Sequence, residues 1–270
     1  MRLRFAALIA AAGLALAACG GGGTPAAQDP NAPLKIGVSP TPHGEILEYV
    51  RDNLAPQAGI GIEIQKFDDY NRPNEAVAHG ELDANYFQHQ PYLDEYRKQR
   101  GGDFVWIAAV HLEPLAVYSK QYRSLRELPD GATVTLSNDP ANQFRGLKLL
   151  EAGGLLRLRP EATVGTRLEA AIAENPKNIQ LKDLSPDQLP RSIDDAAAAV
   201  VNGNYAIKAG LQNPIQVESA ANNPYANGLV TSPALARDPR ILKLADLLRS
   251  QQVKDFINQK WGGVAVIPAS

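Results

Sequence analysis

The chain has 270 residues, with 27 Lys and Arg against 29 Asp and Glu, a formal net charge of −2. Neither sign forms a long block, which argues against nucleic acid or a strongly anionic surface as a partner. A single cysteine, Cys19, excludes an internal disulfide framework and a cysteine-based metal site.

Residues 1–18 read as a signal peptide, basic over 1–4 and apolar over 5–17. The apolar run is shorter than the roughly 20 residues of a membrane-spanning helix. It ends in Leu16-Ala17-Ala18-Cys19, the form of a bacterial lipobox, so Cys19 is the expected site of lipidation (a diacyl anchor, palmitate-type). The expected location is the cell envelope, with the protein lipid-anchored to a bacterial membrane and facing the periplasm or the exterior. Residues 19–33, rich in Gly, Ala, Pro and Asn, read as a flexible tether.

Beyond the tether, short apolar runs alternate with helical patterns. Strand Leu34–Val38 precedes a helix over 45–54, with Ile46, Leu47, Val50 and Leu54 at helical spacing. A strand over 60–67, a break at 68–73, a helix over 74–79 ended by Gly80, a strand over 82–85, a helix over 91–99 and a strand over 104–110 follow. This order predicts a mostly parallel sheet with helices on both faces. An extended run over 115–119 leads to a second alternation: a strand over 133–136, helices over 140–151 and 166–173, strands over 179–181 and 196–201, and a helix over 205–209. Residues 214–218 read as a strand returning toward the first lobe, and 241–261 as one or two amphipathic helices. The expected architecture is α/β with two lobes, 34–114 plus 219–270 and 115–218, joined by two crossings with a ligand cleft between them.

Four stretches carry chemistry. Residues 83–96, DANYFQHQPYLDEY, gather Tyr86, Phe87, His89, Tyr92 and Tyr96 although only 6% of the chain is aromatic. Four consecutive residues, Tyr86 to His89, cannot all point into a core. At the carboxyl end of a strand in an open α/β sheet they are placed to line an opening. In the second stretch, 137–145, Asp139 suits an N-cap and Pro140 the first helical position. Asn142 and Arg145, three apart, then share one helix face, where a guanidinium fork near a helix N-terminus suits a carboxylate; a surface salt bridge is the plain alternative. The third and fourth stretches are the strand end carrying Asn202 and the asparagine-rich turn ending at Asn227. No pair among His43, His79, His89 and His111 has i, i+4 spacing, and there is no nucleophile elbow or phosphate loop, so neither a metal site nor an enzyme is expected.

The lipobox at Cys19, FDDYNRPNEA at 67–76, DANYFQHQPYLDEY, NDPANQFR at 138–145, LPRSIDDA at 189–196 and NPYAN at 223–227 together resemble the methionine-binding lipoproteins of bacterial ABC importers, the NLPA lipoprotein family. The resemblance implies a periplasmic-binding-protein fold that closes on one amino acid and delivers it to a membrane permease driven by an ATPase, with no cofactor and as a monomer. It assigns Tyr70, Phe87 and His89 to the side-chain pocket, Arg145 to the ligand carboxylate, and Asn142, Asn202 and Asn227 to the ligand's polar groups. Tyr86 and Glu113 are secondary candidates. Methionine, L or D, is the implied ligand; a methionine-containing dipeptide or another apolar amino acid is the alternative, and a metal-binding lipoprotein the more distant one. One departure stands out: Phe144 precedes the matching arginine where the family commonly has glycine. About 100° from Arg145 around a helix, Phe144 either packs inward or narrows the cleft.

Overall fold

The computed structural model describes residues 32–269, so the expected signal peptide, Cys19 and nearly all of the tether lie outside the described residues. The chain starts with β1 (Leu34–Val38), α1 (Glu45–Asn53), α2 (Ala55–Ala58), β2 (Ile62–Lys66), α3 (Arg72–Ala78), β3 (Ala84–His89), α4 (Gln90–Arg100) and β4 (Val105–Leu112). It crosses through β5 (Ala116–Tyr118) to β6 (Thr133–Ser137), α5 (Pro140–Ala152), β7 (Arg157–Leu158), α6 (Leu168–Ala171), β8 (Ile172–Glu174) and β9 (Gln180–Leu184). Then come α7 (Leu189–Ser192), β10 (Ala198–Val201), α8 (Gly203–Lys208) and β11 (Gln216–Val217). The chain closes with β12 (Asn227–Thr231), α9 (Pro239–Leu248), α10 (Gln251–Trp261) and β13 (Ile267–Pro268).

Two main sheets result. The first has the order β13-β4-β12-β3-β1-β2, the second β11-β5-β10-β6-β9, and a separate β7-β8 ribbon lies beside the second. β1 pairs in parallel with β2 and β3, as helical crossovers demand. The first sheet is nevertheless mixed rather than mostly parallel, because β12 enters antiparallel between β3 and β4. The 214–218 segment contributes β11, which pairs antiparallel with β5 at the edge of the second sheet. Of the helix expected over 166–173, only Leu168–Ala171 forms, and the chain continues directly into β8. Among the described residues no helix is long and apolar enough to cross a membrane.

Each sheet has its own core. Leu34, Ile36, Val38, Ile46, Leu47 and Val50 meet Ile241, Leu244, Leu248, Val253 and Ile257 around the first sheet. Val117, Val134, Leu136, Leu147, Leu150 and Val200 do the same in the second. The helix starts follow local chemistry. Asp139 Oδ1 accepts from Asn142 N at 2.9 Å with Pro140 at the first position of α5, and His89 Nδ1 accepts from Tyr92 N at 3.1 Å at the start of α4.

β12 depends on a residue without a side chain. A Cβ on Gly228 would lie 2.3 Å from the Ala108 carbonyl oxygen and 2.4 Å from the Trp106 ring, at a point where the register with both neighbouring strands shifts. Gly228→Ala should therefore cost about 1–3 kcal/mol, because one obstacle is backbone and cannot rotate away. Urea unfolding checks this: the midpoint falls with the slope unchanged, and a loss under about 0.5 kcal/mol would contradict the packing described.

Candidate functional site

The two sheets face each other across a cavity of about 20 Å³, lined by side chains from both. Its wall is aromatic at one end. The Tyr70 ring lies 5.9 Å from Phe87, 5.8 Å from Tyr92 and 5.2 Å from Tyr205. β3 contributes Phe87 and His89, α4 contributes Tyr92, and the segment between β2 and α3 contributes Tyr70. Tyr70 Oη donates to Asn204 Oδ1 at 2.5 Å, and Tyr205 Oη donates to the Asp68 carbonyl at 2.8 Å, so these bonds cross the cleft.

The other end is polar. Arg145, on α5, is only 3% exposed. Its Nε donates to Glu218 Oε1 at 3.0 Å, its Nη2 to Glu218 Oε2 at 2.5 Å and to the Glu113 carbonyl at 2.9 Å, and its Cζ lies 4.3 Å from the Tyr225 ring centre. Burial pushes the Glu218 carboxyl up, but the guanidinium bonds outweigh this and hold its pKa below the usual value. One turn earlier on α5, Asn142 Nδ2 donates to Asp139, while Asn142 Oδ1 receives Asn202 Nδ2 at 2.9 Å and His89 Nε2 at 3.1 Å. Since His89 Nδ1 already accepts from Tyr92 N, its proton sits on Nε2. Burial, and then the nearby Arg145 charge, lower the His89 pKa to about 3, so the ring is neutral. These bonds leave Asn202 Oδ1 buried and without a partner among the described residues.

A third group lies beside Arg145. Glu113 lines the cavity and its Oε1 accepts from His111 Nε2 at 2.7 Å, while His111 Nδ1 bonds the Tyr86 hydroxyl. His43 Nε2 stands 3.4 Å from the same oxygen. Ligand atoms of His43, His111 and Glu113 fall within 4.8 Å of one another, a donor set compatible with a cation, although helical spacing does not bring them together. They come from the turn after β1, from β4 and from the start of the crossing.

Of the residues singled out in the sequence, Tyr70, Phe87, His89, Asn142, Arg145, Asn202 and Asn227 all line this cavity. Tyr86 does not. Its ring belongs to the first core, fully buried, and its hydroxyl reaches His111 behind the pocket. The expectation that the aromatics follow a strand ending near Asn85 is also corrected, since β3 runs to His89 and is buried throughout. Tyr86 and Phe87 enter different cores on opposite faces, and Asn85 and Gln88 satisfy each other and Asn74 through side-chain amides. Phe144 packs against the second core and is not part of the cavity wall. Glu113, the secondary candidate, is part of it. Sequence reading missed His43 and Asn204 as lining residues and Glu218 as the partner of Arg145. Tyr92 was legible, three residues after His89 and hence on the same side of the α4 start.

The model of the NlpA lipoprotein family matches residues 34–270. The methionine-binding lipoprotein MetQ of Bacillus subtilis (strain 168) is 38% identical over 261 residues, 94% of each chain. Among solved structures, a nutrient binding protein from Burkholderia cenocepacia bound to methionine is 37% identical, with a TM-score of 0.84 over 88% of this chain and 100% of that one. An ABC transporter periplasmic substrate-binding protein from Coxiella burnetii is 36% identical, with a TM-score of 0.82 over 87% of this chain and 100% of that one. From its first strand to its last, the chain belongs to the NlpA lipoprotein family and has the two-lobed fold of periplasmic substrate-binding proteins.

Proposed function

We propose that this protein binds methionine, L or D, in the cleft between its sheets and delivers it to the permease and ATPase of an ABC importer, as a monomer held to the membrane through a lipid on Cys19. Its role is binding rather than catalysis. The observation that carries the reading is a cavity with aromatic rings at one end and a buried guanidinium at the other. A free amino acid is a zwitterion, and a site that removes it from water must supply partners for its charges or lose several kcal/mol. Arg145, fixed through Nε and Nη2, is the group suited to the carboxylate. The rings of Tyr70, Phe87 and Tyr92 suit a thioether, whose contact with an aromatic is worth roughly 0.3–1.5 kcal/mol. The methionine in the Burkholderia cenocepacia relative supports the same ligand here.

Calorimetric titration tests the division of work. Arg145→Ala should weaken methionine binding by about 2–5 kcal/mol, on the order of thirty- to several-thousand-fold. Phe87→Ala should instead reduce the preference for methionine over norleucine. Circular dichroism establishes first that each variant is folded; a folded Arg145→Ala protein binding methionine within about threefold of wild type would place the carboxylate elsewhere.

The anchor is tested separately. Cys19→Ala should move the protein from the membrane fraction to the soluble fraction, and wild type should show a lipid mass increment that the variant lacks. A variant that stays with the membrane after detergent-free fractionation would count against the lipid.

A further inference from the structure

We infer that residues 159–167, between β7 and α6, are a strap of the second lobe that seats Val164 on the first lobe when the cleft shuts, and that Val164 sets how long the ligand is held without touching it. The inference rests on the methionine reading above and adds a positioning residue outside the cavity wall.

The strap is built within its own lobe. β7 and β8 pair as a ribbon, Arg159 N donates to the Ala171 carbonyl at 2.9 Å, and Ala162 and Leu168 pack on the second core. Between those anchors the chain turns back on itself. Thr166 N donates to the Thr163 carbonyl at 3.0 Å, and Thr163 N donates to Thr166 Oγ1 at 3.0 Å. Gly165, with φ +85°, supplies the left-handed residue that such a turn needs at its third position. Val164 therefore stands at the tip of a turn whose shape owes nothing to the other lobe.

The tip nevertheless lies on the first lobe. Val164 is half-buried against the cluster that holds Phe87, Tyr92, Leu93 and Tyr96, to which, among the described residues, the second lobe contributes only Val164 and Ala141. Beside it, a Cβ on Gly165 would lie 3.7 Å from Lys98 Nζ and 3.8 Å from Glu95 Oε1, ordinary contact distances, so the turn meets α4 directly. Phe87 and Tyr92 belong both to this cluster and to the cavity wall, whereas Val164 is not part of that wall. Opening the lobes would return Val164 and the apolar surface beneath it to water, which opposes opening. The exposed Lys208–Asp68 pair, at 2.6 Å, also joins the lobes, but salt weakens it and does not weaken an apolar seat.

The test preloads full-length, detergent-solubilised protein with radiolabelled methionine and chases it with an excess of unlabelled methionine, for wild type, Val164→Asp and Val164→Ile. Val164→Asp should release the label at least about fivefold faster, because its carboxylate must be dehydrated against an apolar cluster each time the lobes shut. Val164→Ile, which keeps the seat apolar, should stay within about twofold of wild type. Two further readouts separate a strap from a residue that merely holds the fold together. The urea midpoint of ligand-free Val164→Asp should equal that of wild type, since its lobes are then apart and the side chain is in water. Its preference for methionine over norleucine should also be unchanged, unlike that of Phe87→Ala. Release from Val164→Asp within about twofold of wild type, a lowered ligand-free midpoint or an altered preference would overturn the inference alone. Should Val164→Asp not fold, Val164→Ala decides: release faster by at least about twofold supports the strap, and unchanged release overturns it. Wild type that retains no methionine overturns the function on which the inference rests as well.

Discussion

A guanidinium buried to 3% exposure is tolerable only where other groups are committed to it, and much of the architecture around the cleft is committed to Arg145. Glu218, just after β11, gives it two oxygens and also accepts from the backbone N–H of Leu115 at 3.1 Å. Glu113, at the start of the opposite crossing, gives its carbonyl, and Tyr225 covers the face of the fork. One side chain of α5 is thus tied to both segments that join the sheets. α5 itself is held close to the second sheet at Gly146, where a Cβ would sit 3.3 Å from Val200 Cγ1. Its first turn is set by Asp139 and Pro140. Sequence, helix start and ion pair therefore act in series to fix the direction of one charged group.

The polar network has a second consequence. His89 belongs to β3 in the first sheet, whereas Asn142 and Asn202 belong to the second lobe, so the shared oxygen of Asn142 closes a chain of bonds that spans the cleft. Tyr70 to Asn204, Tyr205 to Asp68 and Lys208 to Asp68, the last an exposed ion pair at 2.6 Å, bridge the same gap. The pocket described is that of closed lobes. Side chains in such a network orient one another, so the acceptor left on Asn202 is defined only when the lobes meet.

Much of this was legible from residues and some was not. Asp139-Pro140 announced the α5 start, and the three-residue spacing of Asn142 and Arg145 put both on the cleft face. The aromatic cluster announced a pocket, but the edges of β3 were misread because a strand buried on both faces shows no alternation, and its four consecutive pocket-region residues looked like a loop. β12 escaped for a related reason: Asn227-Gly228 is turn chemistry, and the glycine is there for close approach to Ala108 and Trp106, a tertiary demand with no local trace. The pairing of Arg145 with Glu218, 73 residues away, and the meeting of His43, His111 and Glu113 are likewise products of the fold.

The aromatic end of the cavity is more selective than its residue types suggest, because its phenol protons are already spent. Tyr70 Oη donates to Asn204, Tyr92 Oη donates to the Tyr70 carbonyl at 2.9 Å, and Tyr205 Oη donates to Asp68. Both nitrogens of His89 are engaged as well, one with Tyr92 N and one with Asn142. What remains for a ligand side chain at that end is ring surface and phenol oxygens able only to accept. A carbonyl or carboxylate placed there would give up its water without a matching donor, at about 1–3 kcal/mol for a neutral group and more for a charge. An unbranched apolar side chain loses nothing comparable and gains contact with three rings. Discrimination against polar side chains thus follows from how the protein satisfies its own hydroxyls, and it would weaken if any of these internal bonds were removed and a phenol were left free to serve the ligand.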